Sequence, residues 1–326
     1  MKLLFVGDVM LGRLVNEVLK REPPVYPWAD TLPVFKQADL RFCNLECVLS
    51  DIGQPWSITP KVFHFRSDAK NIDCLRAANI EVVSLANNHT LDFEYEAMFQ
   101  MFKILDQAGI SFAGAGADLA AAATPAILKV GRASLGFLAF SDNEPDWEAG
   151  LKIPGIFYVP TDKSDLRAKN LFRLVKETKE KVDFLIVSAH WGPNWGYAPP
   201  AEHLPFAHEL IDNGADLIFG HSSHVFRAIE VYKDKPILYS TGNFIDDYAV
   251  DEIERNDESL IFMVEVEKGT VSQITLYPTL IENLQARLAS GNEAENICLK
   301  MQTLCAEMQT PAEWHKKEKL LRISIA

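Results

Sequence analysis

Cysteine is scarce and poorly spaced for either of its usual structural uses. The five residues, at positions 43, 47, 74, 298 and 305, form no CxxC pair and leave one odd thiol. Neither a disulfide framework nor a Cys-type zinc site is expected, and the thiols are read as reduced. Positive charge is also short: 32 Lys and Arg stand against 45 Asp and Glu, a formal net charge of -13 at pH 7. There is no basic stripe to grip a phosphate backbone, so nucleic acid is not an expected partner. Long apolar runs are missing as well. The opening MKLLFVGD is too short for a signal-peptide core, and no uncharged stretch approaches the roughly 20 residues needed to cross a bilayer. A cytoplasmic protein without a membrane segment is the expectation.

What remains is an ordinary globular composition, 48% hydrophobic and 24% charged over 326 residues, enough for one principal domain with appended segments. The first half alternates strand-like and helix-like stretches. Helices are expected near Gly12 to Lys20, from Asp68 as a cap to Ala78, and from Glu94 to Ala108, where Met98, Met101, Phe102 and Leu105 recur at helical spacing. Short strands are expected around Leu40 to Cys43 and Lys61 to Arg66, and a hairpin about Gly131 and Arg132 between AILKV and ASLGFLAF. Further helices fall over 165–179 and 202–213, with consecutive strands from Arg227 onward and an amphipathic helix over 293–319. Alternation followed by consecutive strands predicts an α/β fold of two packed sheets flanked by helices. The principal domain is set at 1–285, with a helical extension at 286–326 packing on it.

The chemistry gathers where apolar strands stop. KLLFVGD ends on Asp8, DLRFCNLE on Glu46, VVSLANNH on Asn88 and His89, FLIVSAH on His190, and DLIFGHSSH on His221 and His224. Strand ends are where α/β folds hold their sites, whereas packing gives a buried Val/Ile/Phe run no reason to end on a ligand. Each block alone has a plainer reading: a helix cap for Asp8, a solvated carboxylate for Glu46, a turn for the paired asparagines, a core histidine for His190. Together they supply carboxylate, amide and imidazole ligands without a thiolate, a set suited to one or two divalent ions, with Mn, Fe or Zn favoured. Glu46 could bridge two ions. His89 is left over as an acid for a leaving group. Arg13 is the best-placed cation for an anionic substrate group, and Asp92 and Asn243 are candidates for a supporting shell.

The blocks GDVMLGR, NLE, LANNHTLD, HWG, GHSSHVF and YSTGNF, in this order, resemble the CapA family of capsule and poly-gamma-glutamate synthesis proteins, which belongs with the calcineurin-like metallophosphoesterases. The resemblance implies a four-layer metallophosphoesterase-like β-sandwich flanked by helices, with a dinuclear centre in the loops at the strand ends. It implies that Asp8, Glu46, Asn88, His190, His221 and His224 bind metal and that His89 is the acid. One position departs from the pattern: Met10 stands where the superfamily carries a histidine ligand. One ion is then weakly held or absent, or its shell is completed by Asn243, Asp92 or water. The expected activity is metal-dependent hydrolysis of a phosphoester or related bond in a small-molecule or polymeric anionic substrate. The alternatives are a noncatalytic protein binding an anionic polymer or partner, and an amide hydrolase acting on gamma-glutamyl bonds. The oligomeric state is left open.

Overall fold

The computed structural model describes residues 1–325. Two sheets face each other with helices on both outer sides, the four-layer α/β sandwich that the family resemblance implies. The larger sheet has ten strands, and Lys2–Val9 lies near its middle. That strand pairs in parallel with Leu40–Leu45 and with the short Asn243–Ile245, and antiparallel with Glu258–Glu267. The second sheet has six strands, with Phe184–His190 paired in parallel between Ala133–Ser141 and Leu217–His221. The AILKV/ASLGFLAF hairpin forms its edge.

Side-chain alternation divides the core. Leu3 and Phe5 face the inter-sheet cluster, where Phe137, Phe184, Ile186, Leu217 and Phe219 arrive from the opposite sheet. Leu4 and Val6 face outward onto Leu75, Met98, Met101 and Leu105 of the helices Ile72–Ala77 and Glu94–Ala108. The second sheet repeats the scheme, with Leu138, Phe140, Leu185 and Val187 packed under the helices Leu166–Lys179 and His203–Asp212. Alternate residues of one strand thus serve two different layers. All five cysteines are buried and free. Among the described residues no helix is long and apolar enough to cross a membrane.

The structure corrects four local expectations. The first helix covers only Arg13–Val18. The strand expected over 61–66 shrinks to Arg66–Ser67, paired with Val48–Leu49, because Lys61 turns inward to polar partners near the site. Asp68 makes no cap bond; its carboxylate instead accepts from Asn16 Nδ2 at 3.2 Å. The C-terminal helix, Gly291–Glu307, starts at a capping box of Ser290 and Glu293 and ends well short of Lys319. Pro311 cannot continue a helix, and Glu313–His315 and Leu320–Ser324 form an antiparallel pair on the edge of the larger sheet. Ile297, Cys298, Met301 and Cys305 of that helix join the inter-sheet cluster, so the helix fills an open side of the sandwich.

Phe5 spans the gap between the sheets, stacked on Phe42 at 4.8 Å and tilted against Phe219 at 5.2 Å between ring centroids. Phe5→Ala is expected to cost about 3–5 kcal/mol in equilibrium urea unfolding. A loss below about 1 kcal/mol would mean that the sheets close over the gap and that the ring does not hold them apart.

Candidate active site

The ligand-bearing residues come together because parallel strands from both sheets end at one edge. Asp8 lies opposite Asn44 on one side and Asn243 on the other. The neighbouring backbone is very close: a Cβ on Gly7 would lie 1.7 Å from the Gly242 carbonyl oxygen, which accepts from Asp8 N at 2.9 Å. Only glycine at position 7 allows this approach. In the second sheet His190 and His221 are direct neighbours in register. Their Nδ1 atoms are 2.9 Å apart, and Asp8 Oδ1 is 3.9 Å from His221 Nδ1. Asp8, His190 and His221 each offer a ligand atom within 4.8 Å of the others. Ser188 Oγ bonds His221 Nε2 at 2.8 Å, which leaves Nδ1 as the ligating nitrogen.

Glu46 and Asn88 extend this group. Asn44 Nδ2 donates to Asp8 Oδ1 at 2.8 Å and to Glu46 Oε2 at 3.2 Å. The two asparagines of ANNH have different tasks. Asn87 donates to Asn44 Oδ1 and the Leu45 carbonyl and accepts from His89 N and Thr90 Oγ1, so its amide is fully committed. Asn88 Oδ1 and Asp8 Oδ2 are buried acceptors without a donor. Unpaired buried acceptors beside two neutral imidazoles are the donor set a divalent cation requires, and the residues fit such an ion. Burial raises the Asp8 carboxyl to about 6. Burial, then the Asp8 charge, pushes Glu46 well above the usual carboxylate range. Burial lowers His190 far below its ordinary value, lowers His221 to about 3, and lowers His224 as well. These imidazoles are neutral and ready to coordinate.

The remaining predicted residues take supporting positions. His224 lines the cleft, and its Nδ1 faces Asn243 Oδ1 at 3.2 Å. Asn243 Nδ2 is directed at the Asn256 carbonyl, so both ends of its amide are engaged and it stands behind His224 as an orienting partner. Asp92 is likewise a positioning group: its Oδ2 meets His89 Nδ1 at 2.5 Å and accepts from Phe65 N at 2.6 Å. His89 Nε2 is left 3.9 Å from Glu46 Oε1, with Phe65 stacked on the ring at 3.9 Å. Arg13 sits at the cleft wall, held by Asp247 at 3.2 Å and placed over the Phe65 ring. Met10 is outside the group. It is fully buried, and its Sδ accepts from Gly12 N at 3.0 Å.

Sequence reasoning missed Lys61. Its buried ammonium bonds the Asn88 carbonyl at 2.5 Å and Glu144 Oε1 at 2.6 Å, and lies 3.8 Å from Asp92 Oδ1. It also missed the buried acids after Asn243–Ile245: Asp247, which anchors Arg13, and Asp246, whose carboxyl burial raises to about 7. Pro60, Val62, Phe63, Trp195 and Tyr248 complete a cleft of about 630 Å³ that opens over Glu46, Asn88, His89 and His224.

Layers, strand order and the polar edge define the metallophosphoesterase-like class of fold. Within it, the family described as "Bacterial capsule synthesis protein PGA_cap" matches residues 2–248, and the chain belongs to that family. A Mycobacterium tuberculosis protein named "Probable polyglutamine synthesis accessory protein" is 33% identical, covering 90% of this chain and 88% of the relative. The PGA biosynthesis protein CapA of Bacillus subtilis is 26% identical, covering 93% of this chain and 76% of its own. Among solved structures, a Staphylococcus aureus "Putative 5'-Nucleotidase" shares the fold with a TM-score of 0.52 and 10% identity, over 93% of this chain and 58% of that one. A hypothetical protein from Thermus thermophilus does so with a TM-score of 0.52 and 18% identity, over 85% and 98%.

Proton competition at the buried carboxylates sets a pH dependence for metal binding. With the folded-state value raised to about 6 for Asp8 and well above the usual carboxylate range for Glu46, a divalent cation would have to displace protons, so affinity is expected to rise with pH and to weaken as pH falls through this range. Calorimetric titration with Mn²⁺ in buffers of different ionisation enthalpy is expected to show proton release at pH 6 to 7. Release of no protons would contradict the carboxylate assignment.

Proposed function

We propose that the protein is a metal-dependent hydrolase that cleaves a phosphoester or related anionic bond in capsule or poly-gamma-glutamate metabolism. Asp8, Glu46, Asn88, His190 and His221 would hold the metal, with His224 facing the same cleft. Divalent ions bound there would polarise the scissile group and lower the pKa of water. The observation that carries the reading is the His89–Asp92 pair beside the ligand group. Burial lowers His89 below its ordinary value, and Asp92, which accepts the Nδ1 hydrogen bond, offsets only part of that, so the fraction of imidazolium able to deliver a proton from Nε2 to a leaving oxygen grows as pH falls. Phe65 stacks on the ring and limits its rotation. Arg13, at the wall, meets a negatively charged group as it enters.

A second reading is a noncatalytic role at the same cleft, binding an anionic polymer or partner. Two observations favour it: Met10 faces Gly12 N in place of a ligand, and a relative carries the name of an accessory protein. A screen of phosphomonoesters, phosphodiesters and gamma-glutamyl amides, with elemental analysis of the same preparation, separates these readings from amide hydrolysis.

Two substitutions test the division of labour. His89→Ala is expected to lower kcat by about 10²–10⁴-fold with metal content unchanged. His221→Ala is expected to lower both metal content and turnover. Retention of metal and turnover by His221→Ala would sink the site, and unchanged kcat in His89→Ala would remove the proton-donor role.

A further inference from the structure

The walls of the cleft say more about the substrate than its floor does. Large apolar side chains stand exposed on them: Phe63 at 60%, Val62 at 83% and Trp195 at 43%. Val62 and Phe63 come from the irregular segment before Arg66–Ser67, and Trp195 comes from the loop after His190, so the rings belong to separate loops around one opening. Aromatic groups continue from there to the floor. Phe63 stacks with Phe65 at 6.4 Å, and Phe65 lies on His89. Trp195 meets His224 edge-on at 5.2 Å, and His224 meets Tyr248 at 5.0 Å.

The charges of the cleft are few and mostly paired. Among the described lining residues the cations are Arg13 and Lys61. Lys61 is bonded to Glu144 and only 8% exposed, whereas Arg13, tied to Asp247, remains 41% exposed. The wall therefore offers one accessible cation beside the ligand group and no row of them for a multiply charged chain. On a protein of net charge -13, the surrounding field opposes a polyanion as well.

We infer that the substrate is an anionic ester bearing an aromatic group, with the anion at the floor, facing Arg13 on the wall, and the aromatic ring gripped by Phe63 and Trp195. Taking the floor as the anionic end rests on the hydrolase reading above. The rings supply specificity: an aromatic guest gains offset or edge contacts with both walls that a compact aliphatic group cannot make, a difference on the order of tenfold in affinity.

Non-hydrolysable phosphonates test this without the bias of leaving-group reactivity. Calorimetry on the Mn²⁺-loaded protein is expected to show phenylphosphonate binding about tenfold more tightly than methylphosphonate. Phe63→Ala combined with Trp195→Ala should abolish that preference by bringing the phenylphosphonate affinity down to that of methylphosphonate, in a protein that still unfolds cooperatively. Equal affinities for the two ligands, a preference that survives the double substitution, or octylphosphonate binding as tightly as phenylphosphonate would each overturn the assignment. Turnover is scored separately. If no phosphoester is cleaved but the aromatic preference holds, the hydrolase reading fails and the wall assignment stands; turnover without the preference does the reverse.

Discussion

Two carboxylates buried side by side are the constraint around which this molecule is arranged. Asp8 and Glu46 are each 2% exposed, and a single amide nitrogen, Asn44 Nδ2, serves both. A neutral amide cannot offset two charges in a poorly solvated site, so the pair must keep protons or receive a cation. The surroundings are built to favour the cation. Asn87 fixes Asn44 by holding its oxygen, which turns the nitrogen toward the acids, and also anchors His89 through its backbone. One run of hydrogen bonds thus connects the proposed first ligand to the proposed proton donor.

The same constraint explains why the site depends on the whole sandwich. Asp8 lies near the end of a strand of the larger sheet and Glu46 and Asn88 follow two others, whereas His190 and His221 end strands of the smaller one. A shift between the sheets would separate oxygen donors from nitrogen donors without disturbing either sheet. The aromatic contacts of Phe5, Phe42, Phe137 and Phe219 across the core resist that shift, since interiors packed like molecular crystals do not slide by small amounts.

Sequence reading succeeded where local pattern and chemistry coincide. An apolar run that stops on His221, or that pairs His190 with the same kind of ending, can be read without knowing the partner strand, and Glu94–Ala108 can be read from its stripe. It failed where a residue's meaning lies in distant partners. Lys61 sits in an irregular segment, and its acceptors are 27 and 83 positions away, so nothing nearby marks it as buried. Asp246 and Asp247 look like a solvated pair beside a turn. The choice between Asn87 and Asn88 came from resemblance, and the hydrogen bonds supply its physical reason: one amide is saturated and the other keeps a free oxygen. The C-terminal pair of strands was hidden because a run as short as Leu320–Ser324 is ambiguous in period, and only the neighbouring edge of Thr270–Glu282 makes it a strand.

Met10 bears on how the centre is composed. The pairing of Lys2–Val9 with Asn243–Ile245 changes register between Asp8 and Val9, and beyond that point Met10 belongs to the outer apolar cluster with Leu11 and Val15. The position therefore serves packing, where a buried side chain of this size contributes about 1.5–3 kcal/mol. What the site loses in imidazole it keeps in oxygen: Asp8 Oδ2 and Asn88 Oδ1 are the acceptors left without partners. A centre with nitrogen donors from one sheet and unpaired oxygens from the other divides into a softer and a harder half. Glu46 and Asn88, on the side where His89 and the cleft open, are the residues that would hold an ion preferring oxygen.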